Sequence, residues 1–145
     1  MSDERKVVLE SEDLVAGYLP GVDILTGCNF KLFKGELVGI IGPNGAGKST
    51  LVKSMFGLVE VRSGSVLLLG EEITNLAAHE LVRKGVGYVP QTENVFPSLT
   101  VSENLQMGAY QLKANEITER IKNITDLFPR LGERIKQRAG LLSGG

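Results

Sequence analysis

The first forty residues set short apolar runs against charged or glycine-rich breaks. Val7, Val8, Leu9 and then Leu14, Val15 read as a pair of short strands, and residues 22–33 alternate apolar with polar closely enough for a half-buried antiparallel strand or hairpin. Residues 37–41 differ, because Leu37, Val38, Gly39, Ile40 and Ile41 contain no polar side chain and suit a parallel strand covered on both faces. Helical spacing replaces alternation after Lys48: Leu51, Val52, Met55 and Phe56 share a face, and Gly57 is placed to cap it. Ser63 and Gly64 read as a turn before an apolar strand over residues 65–69 that Gly70 closes. A short helix over residues 77–84 then ends at Gly85, and residues 86–89 form a second buried strand that stops at Pro90.

Beyond Pro90 the pattern becomes mostly helical. A polar loop over residues 91–97 leads to a helix over 101–110, opened by Thr100 or Ser98 with Glu103 downstream as a capping partner. A second helix over 116–128 gathers Ile117, Ile121, Ile124, Leu127 and Phe128 on one face and is ended by Pro129. No internal repeat or low-complexity segment occurs.

The chemistry concentrates between the run 37–41 and the helix that follows. Gly42, Pro43, Asn44, Gly45, Ala46, Gly47, Lys48, Ser49 and Thr50 fit the phosphate-binding pattern G-x-x-x-x-G-K-[ST], in the strand-loop-helix order its mechanism needs. A polyphosphate is a dense cluster of negative charge. A loop whose backbone N–H groups converge at a helix N-terminus complements it, and Gly42, Gly45 and Gly47 are expected to supply positive φ values and a close backbone approach. Lys48 adds a mobile cation for the β- and γ-phosphates, Ser49 a hydroxyl for magnesium, and Thr50 support for a neighbouring phosphate. The alternative is a glycine-rich turn between a buried strand and a helix. The reading is therefore an α/β fold: a P-loop core with an antiparallel β subdomain in residues 1–97 and a mostly helical subdomain in 98–141.

Composition narrows the classes. With 145 residues, 42% hydrophobic content and 23% charge the chain is an ordinary globular sequence, and a formal net charge of -1 gives no basic surface for nucleic acid. The single cysteine, Cys28, excludes an internal disulfide and reads as a buried inert thiol in a reducing compartment. No apolar run approaches the ~18 residues that span a bilayer, and the charged start Ser2, Asp3, Glu4, Arg5, Lys6 lacks a signal peptide's apolar core. A cytoplasmic location is expected.

Four pieces follow in one order: Tyr18 upstream, the phosphate loop, Gln91 after an apolar run, and Leu142, Ser143, Gly144, Gly145 at the end. This order resembles an ABC-type ATPase over nearly the whole chain, Leu-Ser-Gly-Gly being that family's signature motif. The stretches at residues 85–91 (Gly85, Val86, Gly87, Tyr88, Val89, Pro90, Gln91), 99–105, Met107-Gly108 and 127–131 are similar to the ATP-binding subunits of branched-chain amino acid importers. Those subunits often carry Glu where this chain has Gln91. The resemblance implies an ATPase that binds ATP and Mg2+, pairs with a second copy of itself and with transmembrane permease subunits, and lies on the inner face of the cell membrane, energising uptake of a small solute. Soluble ABC-type ATPases, small-molecule kinases and a non-catalytic ATP-binding fragment are the other classes that use such a loop.

By the same resemblance Tyr18 stacks on the adenine ring, and Gln91 reaches magnesium or its water and senses the γ-phosphate. Leu142, Ser143, Gly144 and Gly145 act on the nucleotide bound to the partner copy; their other reading is a flexible Gly-Gly tail. The family's acidic pair and switch histidine follow the signature motif. No apolar run after the loop ends in Asp-Glu, so no catalytic residue is assigned, the chain reads as truncated, and hydrolysis by it alone is expected to be lost or very slow. An uncovered run at 37–41 would also make it poorly soluble. The lone His79 reads as a solvated surface residue, and Glu71 and Glu72 as solvated acids in a turn.

Overall fold

A computed structural model describes residues 6–142. The chain forms two units that divide between Tyr88 and Val89, ahead of the residue-98 boundary read from the sequence.

The first unit is built on a four-stranded antiparallel sheet of β1 (Val7–Ala16), β2 (Leu25–Phe33), β3 (Val61–Leu68) and β4 (Glu71–Glu72), in the order β2-β1-β3-β4. The two apolar pieces at 7–9 and 14–15 are one strand, not a pair. Between them Ser11 and Leu14 both point into the core while Glu12 and Asp13 are exposed, which breaks the two-residue period. The cause is a bulge: the register against β2 and β3 shifts there, and Asp13 takes φ 44°. Gly64 lies on β3 across from it with φ 83°, and a Cβ at Gly64 would fall 2.4 Å from the Glu12 carbonyl oxygen. Ser63 and Gly64 therefore belong to β3 and not to a turn; the glycine is there to admit the bulge. The actual turn is Leu69-Gly70, both residues at positive φ, joining the pair Leu68↔Glu71 as a type I′ hairpin. Glu71 and Glu72 thus form β4, both exposed, with Glu71 bonded to Lys84 at 2.7 Å.

Two helices cover this sheet. Helix α1 (Lys48–Met55) buries Thr50, Leu51, Ser54 and Met55, one face at helical spacing, against Leu14, Ala16, Leu25, Val61 and Val66. Its end is a Schellman motif: Leu58 N–H donates to Lys53 at 2.8 Å, Gly57 N–H to Ser54 at 3.1 Å, and Gly57 takes φ 67°. Helix α2 (Ala78–Arg83) ends the same way at Gly85, with Val86 donating to Leu81 and Gly85 to Val82. Cys28 is only partly buried, against the edge of this core.

The two runs read as buried strands, 37–41 as a parallel one, do not form strands. Among the described residues neither 37–41 nor 86–89 carries a ladder, and Leu37 and Ile41 are 98% and 95% exposed. A buried strand draws its ladder bonds from flanking strands, and neither run is paired with a strand of the described sheet. Val86 and Tyr88 instead pack on the core, the Tyr88 ring stacked on Phe56 at 5.2 Å, while Val89 is exposed.

The second unit holds α3 (Val101–Gly108), α4 (Ala114–Leu127), α5 (Pro129–Glu133) and a 3-10 turn at Ala139–Leu141. Pro129 ends α4 as expected but also opens α5 from its first turn, where a missing N–H costs nothing. The segment 135–140 runs back along 97–102, with Val101 N–H donating to Gln137 at 2.9 Å and Ala139 N–H to Leu99 at 2.8 Å. Thr100 opens α3 with a complete capping box: the Glu103 N–H donates to the Thr100 hydroxyl at 3.2 Å, and the Thr100 N–H to Glu103 Oε2 at 2.7 Å.

The hydrogen bonds from the Thr100 amide, and then from its hydroxyl, hold the Glu103 carboxyl below its ordinary value. A lowered carboxylate pKa stabilises the fold above the unfolded-state value, and that contribution is lost as pH falls through the folded-state one. The protection of the α3 amides, taken relative to their intrinsic exchange rates at each pH, should therefore fall as the pH drops below the ordinary carboxylate range and Glu103 takes up its proton. Thr100→Ala should bring the same loosening at neutral pH at a cost of about 1 kcal/mol. Hydrogen exchange of residues 101–104 measures both.

Candidate functional site: the phosphate loop

The loop is anchored at both ends by main-chain and aliphatic contacts. Gly47 is the N-cap of α1 with φ 82° and ψ 4°, buried so closely that a Cβ would lie 2.9 Å from Leu25 Cδ2 and 3.5 Å from Ile24 Cγ2. Gly45 also takes φ 82°. Gly42 does not use the positive φ open to it, and a Cβ there would make only ordinary contacts, 3.6 Å from the Ala46 methyl and 3.9 Å from Lys48 Cδ, so the free chain's geometry does not by itself require glycine at this position. The Ala46 N–H donates to Pro43 at 3.3 Å, closing the loop over Asn44 and Gly45.

Lys48 curls over this frame. Its ammonium donates to the carbonyls of Gly42 at 2.8 Å and Pro43 at 2.6 Å, which fixes the cation at the mouth of the loop. Leu51 N–H to Gly47 at 2.8 Å is the first turn-closing bond of α1, and the amides ahead of it have no intrahelical acceptor by geometry. Ser49 is exposed at that helix start, whereas Thr50 is buried. The donor set is thus a cation, a hydroxyl and the main-chain dipoles of a helix N-terminus, with two glycines in the left-handed region. It fits an oxyanion, and the Ser49 hydroxyl fits a hard cation that takes its remaining ligands from phosphate and water. No group of three or more His, Cys, Asp or Glu suited to a metal occurs among the described residues.

Tyr18 belongs to the same unit. It lies in the connection between β1 and β2, half exposed, with the Lys53 ammonium of α1 5.5 Å from its ring centroid. That connection reaches the phosphate loop through Ile24 and Leu25, the residues packed on Gly47. Gln91 is exposed and Leu142 half-buried, both in the second unit; Ser143, Gly144 and Gly145 lie outside the described residues. His79 is an exposed residue of α2.

Sequence reading passed over two side chains that shape this region. Arg62 on β3 bonds into the β1–β2 connection, and Asn75, at φ 55°, pairs with both the N–H and the carbonyl of Val61 at 2.8 Å. An arginine in a polar stretch and an asparagine after a strand carry no motif, so only tertiary geometry shows what they do.

Comparison with known proteins agrees with this geometry. The family model described as "ABC transporter" matches residues 25–145. A probable branched-chain amino acid transport ATP-binding protein, LivF, of Archaeoglobus fulgidus is 46% identical over 138 residues, covering 95% of this chain and 58% of the relative. The high-affinity branched-chain amino acid transport ATP-binding protein BraG of Pseudomonas aeruginosa is 41% identical over 135 residues, again 58% of its own length. A crystal structure of the ADP conformation of MJ1267, an ATP-binding cassette of an ABC transporter, matches 95% of this chain and 59% of that one with a TM-score of 0.83 and 31% identity. The chain therefore spans a little over half the length of these relatives. A family match that begins with the first residue of β2 and runs through the loop to the end of the sequence is decisive: this chain belongs to the ABC transporter family, with that family's P-loop α/β fold, antiparallel β subdomain and helical subdomain.

Proposed function

We propose that the protein containing this chain is the ATP-binding and ATP-hydrolysing subunit of a membrane importer, and that its solute is an amino acid of the branched-chain class. The observation that carries the nucleotide part is the loop itself: Lys48 held over Gly42 and Pro43, with Gly45 and Gly47 at φ 82° leading into α1. Such a frame suits the triphosphate of ATP, with Ser49 offering its hydroxyl to the magnesium ion and Tyr18 its ring to the adenine; Gln91 is proposed as a magnesium ligand on the family resemblance alone. Held there by the Ser49 hydroxyl, magnesium would supply charge neutralisation to the phosphate oxygens. Lys48 adds charge to the same oxygens, and the loop amides orient them.

Supporting the solute assignment are the printed functions of the LivF and BraG relatives and the importer-like stretches from residue 85 onward. Coupling would pass through the second unit to a membrane partner, while Leu142, Ser143, Gly144 and Gly145 act on the nucleotide of a second copy. No helix among the described residues is long and apolar enough to cross a membrane.

The solute is tested in cells whose own copy of the gene carries Lys48→Ala. Uptake of labelled leucine, isoleucine and valine should fall to the background of a deletion strain. Unaltered uptake of all three, with loss of uptake of another solute, would overturn the assignment while leaving the nucleotide reading in place.

A further inference from the structure

We propose that Arg62 is a positioning residue for the nucleotide base: its guanidinium sets the β1–β2 connection so that the Tyr18 ring is presented to the adenine. This rests on the stacking reading of Tyr18 given above.

The connection, residues 17–23, has little else to define it. The side chains of Tyr18, Leu19 and Val22 are each more than half exposed, and its own main chain contributes the bond from Val22 N–H to Leu19 at 3.1 Å, with Ile24 N–H to Ala16 at 2.9 Å closing its base. Arg62 reaches in from the start of β3 and supplies the missing partners. Nη1 donates to the Val22 carbonyl at 3.1 Å and to the Asp23 carboxylate; Nη2 donates to the Leu19 carbonyl and to Gly17 at 3.4 Å. The two carbonyls that flank Tyr18, those of Gly17 and Leu19, thus converge on one nitrogen. That fixes the peptide plane on the N-terminal side of the Tyr18 Cα and, one residue beyond it, the plane that follows Leu19, so Tyr18 is bracketed between two held points and the direction in which its ring leaves the chain is narrowed.

Two more features show that the arrangement is built closely around this contact. The arms of the connection pass so near each other that a Cβ at Gly17 would stand 2.0 Å from the Val22 carbonyl oxygen and 3.3 Å from Arg62 Nη1. From the other side, the Lys53 ammonium 5.5 Å from the ring centroid holds Tyr18 toward α1, the helix that the phosphate loop opens. A planar fork with several fixed donors can serve three carbonyls and a carboxylate at once; a lysine, with one nitrogen on a flexible stem, cannot. Without the fork the connection must be ordered by the ligand itself, and that ordering opposes binding of the base.

The test separates base from phosphates by measuring affinities for Mg-ATP and for magnesium tripolyphosphate in calorimetry, on the full-length protein. The ratio of the two reports what the nucleoside adds. Tyr18→Ala should lower the ratio about tenfold, in the range for loss of one base–aromatic stack. Arg62→Ala should lower it about threefold or more by the cost of ordering the connection, with tripolyphosphate affinity unchanged. In the Tyr18→Ala background, Arg62→Ala should change the ratio no further, because Arg62 acts through that ring. Arg62→Lys should behave like Arg62→Ala; since it keeps the charge and the stem, it carries the test if Arg62→Ala loses tripolyphosphate binding altogether. A parent-like ratio in both Arg62 variants, an equal loss of both ligands in Arg62→Lys, or a further fall in the Tyr18→Ala background would overturn the proposal and leave stacking intact. A parent-like ratio in Tyr18→Ala would overturn the stacking reading, and the role of Arg62 with it.

Discussion

Replacing Lys48 by Ala should weaken Mg-ATP binding about 10- to 100-fold, the loss expected when a charge-assisted hydrogen bond to phosphate is removed. The ammonium stands at the loop mouth because the Gly42 and Pro43 carbonyls hold it there, at 2.8 and 2.6 Å. It is the one cation bonded to the loop backbone among the described residues, so no neighbour is placed to substitute for it. Arginine is not a remedy: a guanidinium has the charge but spreads it over a bulky planar group, where the ammonium presents a compact point charge at the loop mouth. Lys48→Arg should therefore recover only part of the affinity. Equal affinities for the parent and for Lys48→Ala would place the triphosphate elsewhere.

A second large effect is expected far from any ligand group. Gly57→Ala should destabilise the first unit by on the order of 3 kcal/mol, the sum of a left-handed conformation for an L-residue and a clash with rigid backbone. Gly57 takes φ 67°, and its added Cβ would stand 2.1 Å from the Leu76 carbonyl oxygen and 3.7 Å from the buried Leu81. The atom it meets is main chain, so no rotamer change relieves the contact. Because total stabilities of such units are about 5–15 kcal/mol, a loss of this size should show as a large fall in the urea midpoint. Gly108→Ala serves as the control. Gly108 closes α3 with ordinary φ and open space around it, so an alanine there should be neutral or stabilising by up to about 1 kcal/mol. Similar midpoints for Gly57→Ala and the parent would contradict the cap geometry.

These two positions show what is legible in a sequence and what is not. Gly57 and Lys48 both announce themselves locally: one ends an amphipathic helical run, the other completes a spaced motif, and local chemistry is enough to assign each. The capping box at Thr100 and Glu103 is legible for the same reason. Gly64 is misread because its partner is distant in sequence. Its function is to admit a bulge at Glu12 and Asp13, and nothing near residue 64 reveals that. The split reading of β1 has the same origin, since one extra residue in the strand reverses the parity of everything after it.

The runs at 37–41 and 86–89 teach a different lesson. Their composition suits a buried strand, a parallel one for 37–41, but whether an apolar run becomes a strand depends on neighbours that supply ladder bonds. Among the described residues Leu37 and Ile41 face solvent instead. The poor solubility expected of residues 1–145 taken alone is open to a direct check, since a monodisperse, cooperatively melting monomer would contradict it. At the site, the motif residues are readable one by one, whereas the network that holds Tyr18 is not. Arg62 lies more than forty residues beyond Tyr18, and its four partners are brought together only by the pairing of β1 with β3.

The claim on which the rest depends is that the amides around Gly47 wrap a polyphosphate. Its most direct test is an amide-resolved NMR titration with Mg-ATP, on a sample extended to full length where solubility requires it. The N–H resonances of Gly45, Gly47, Lys48 and Ser49 should move together and saturate, and magnesium tripolyphosphate should move the same set. Saturable shifts elsewhere with these four unmoved, or no shift at all in a folded sample, would contradict it.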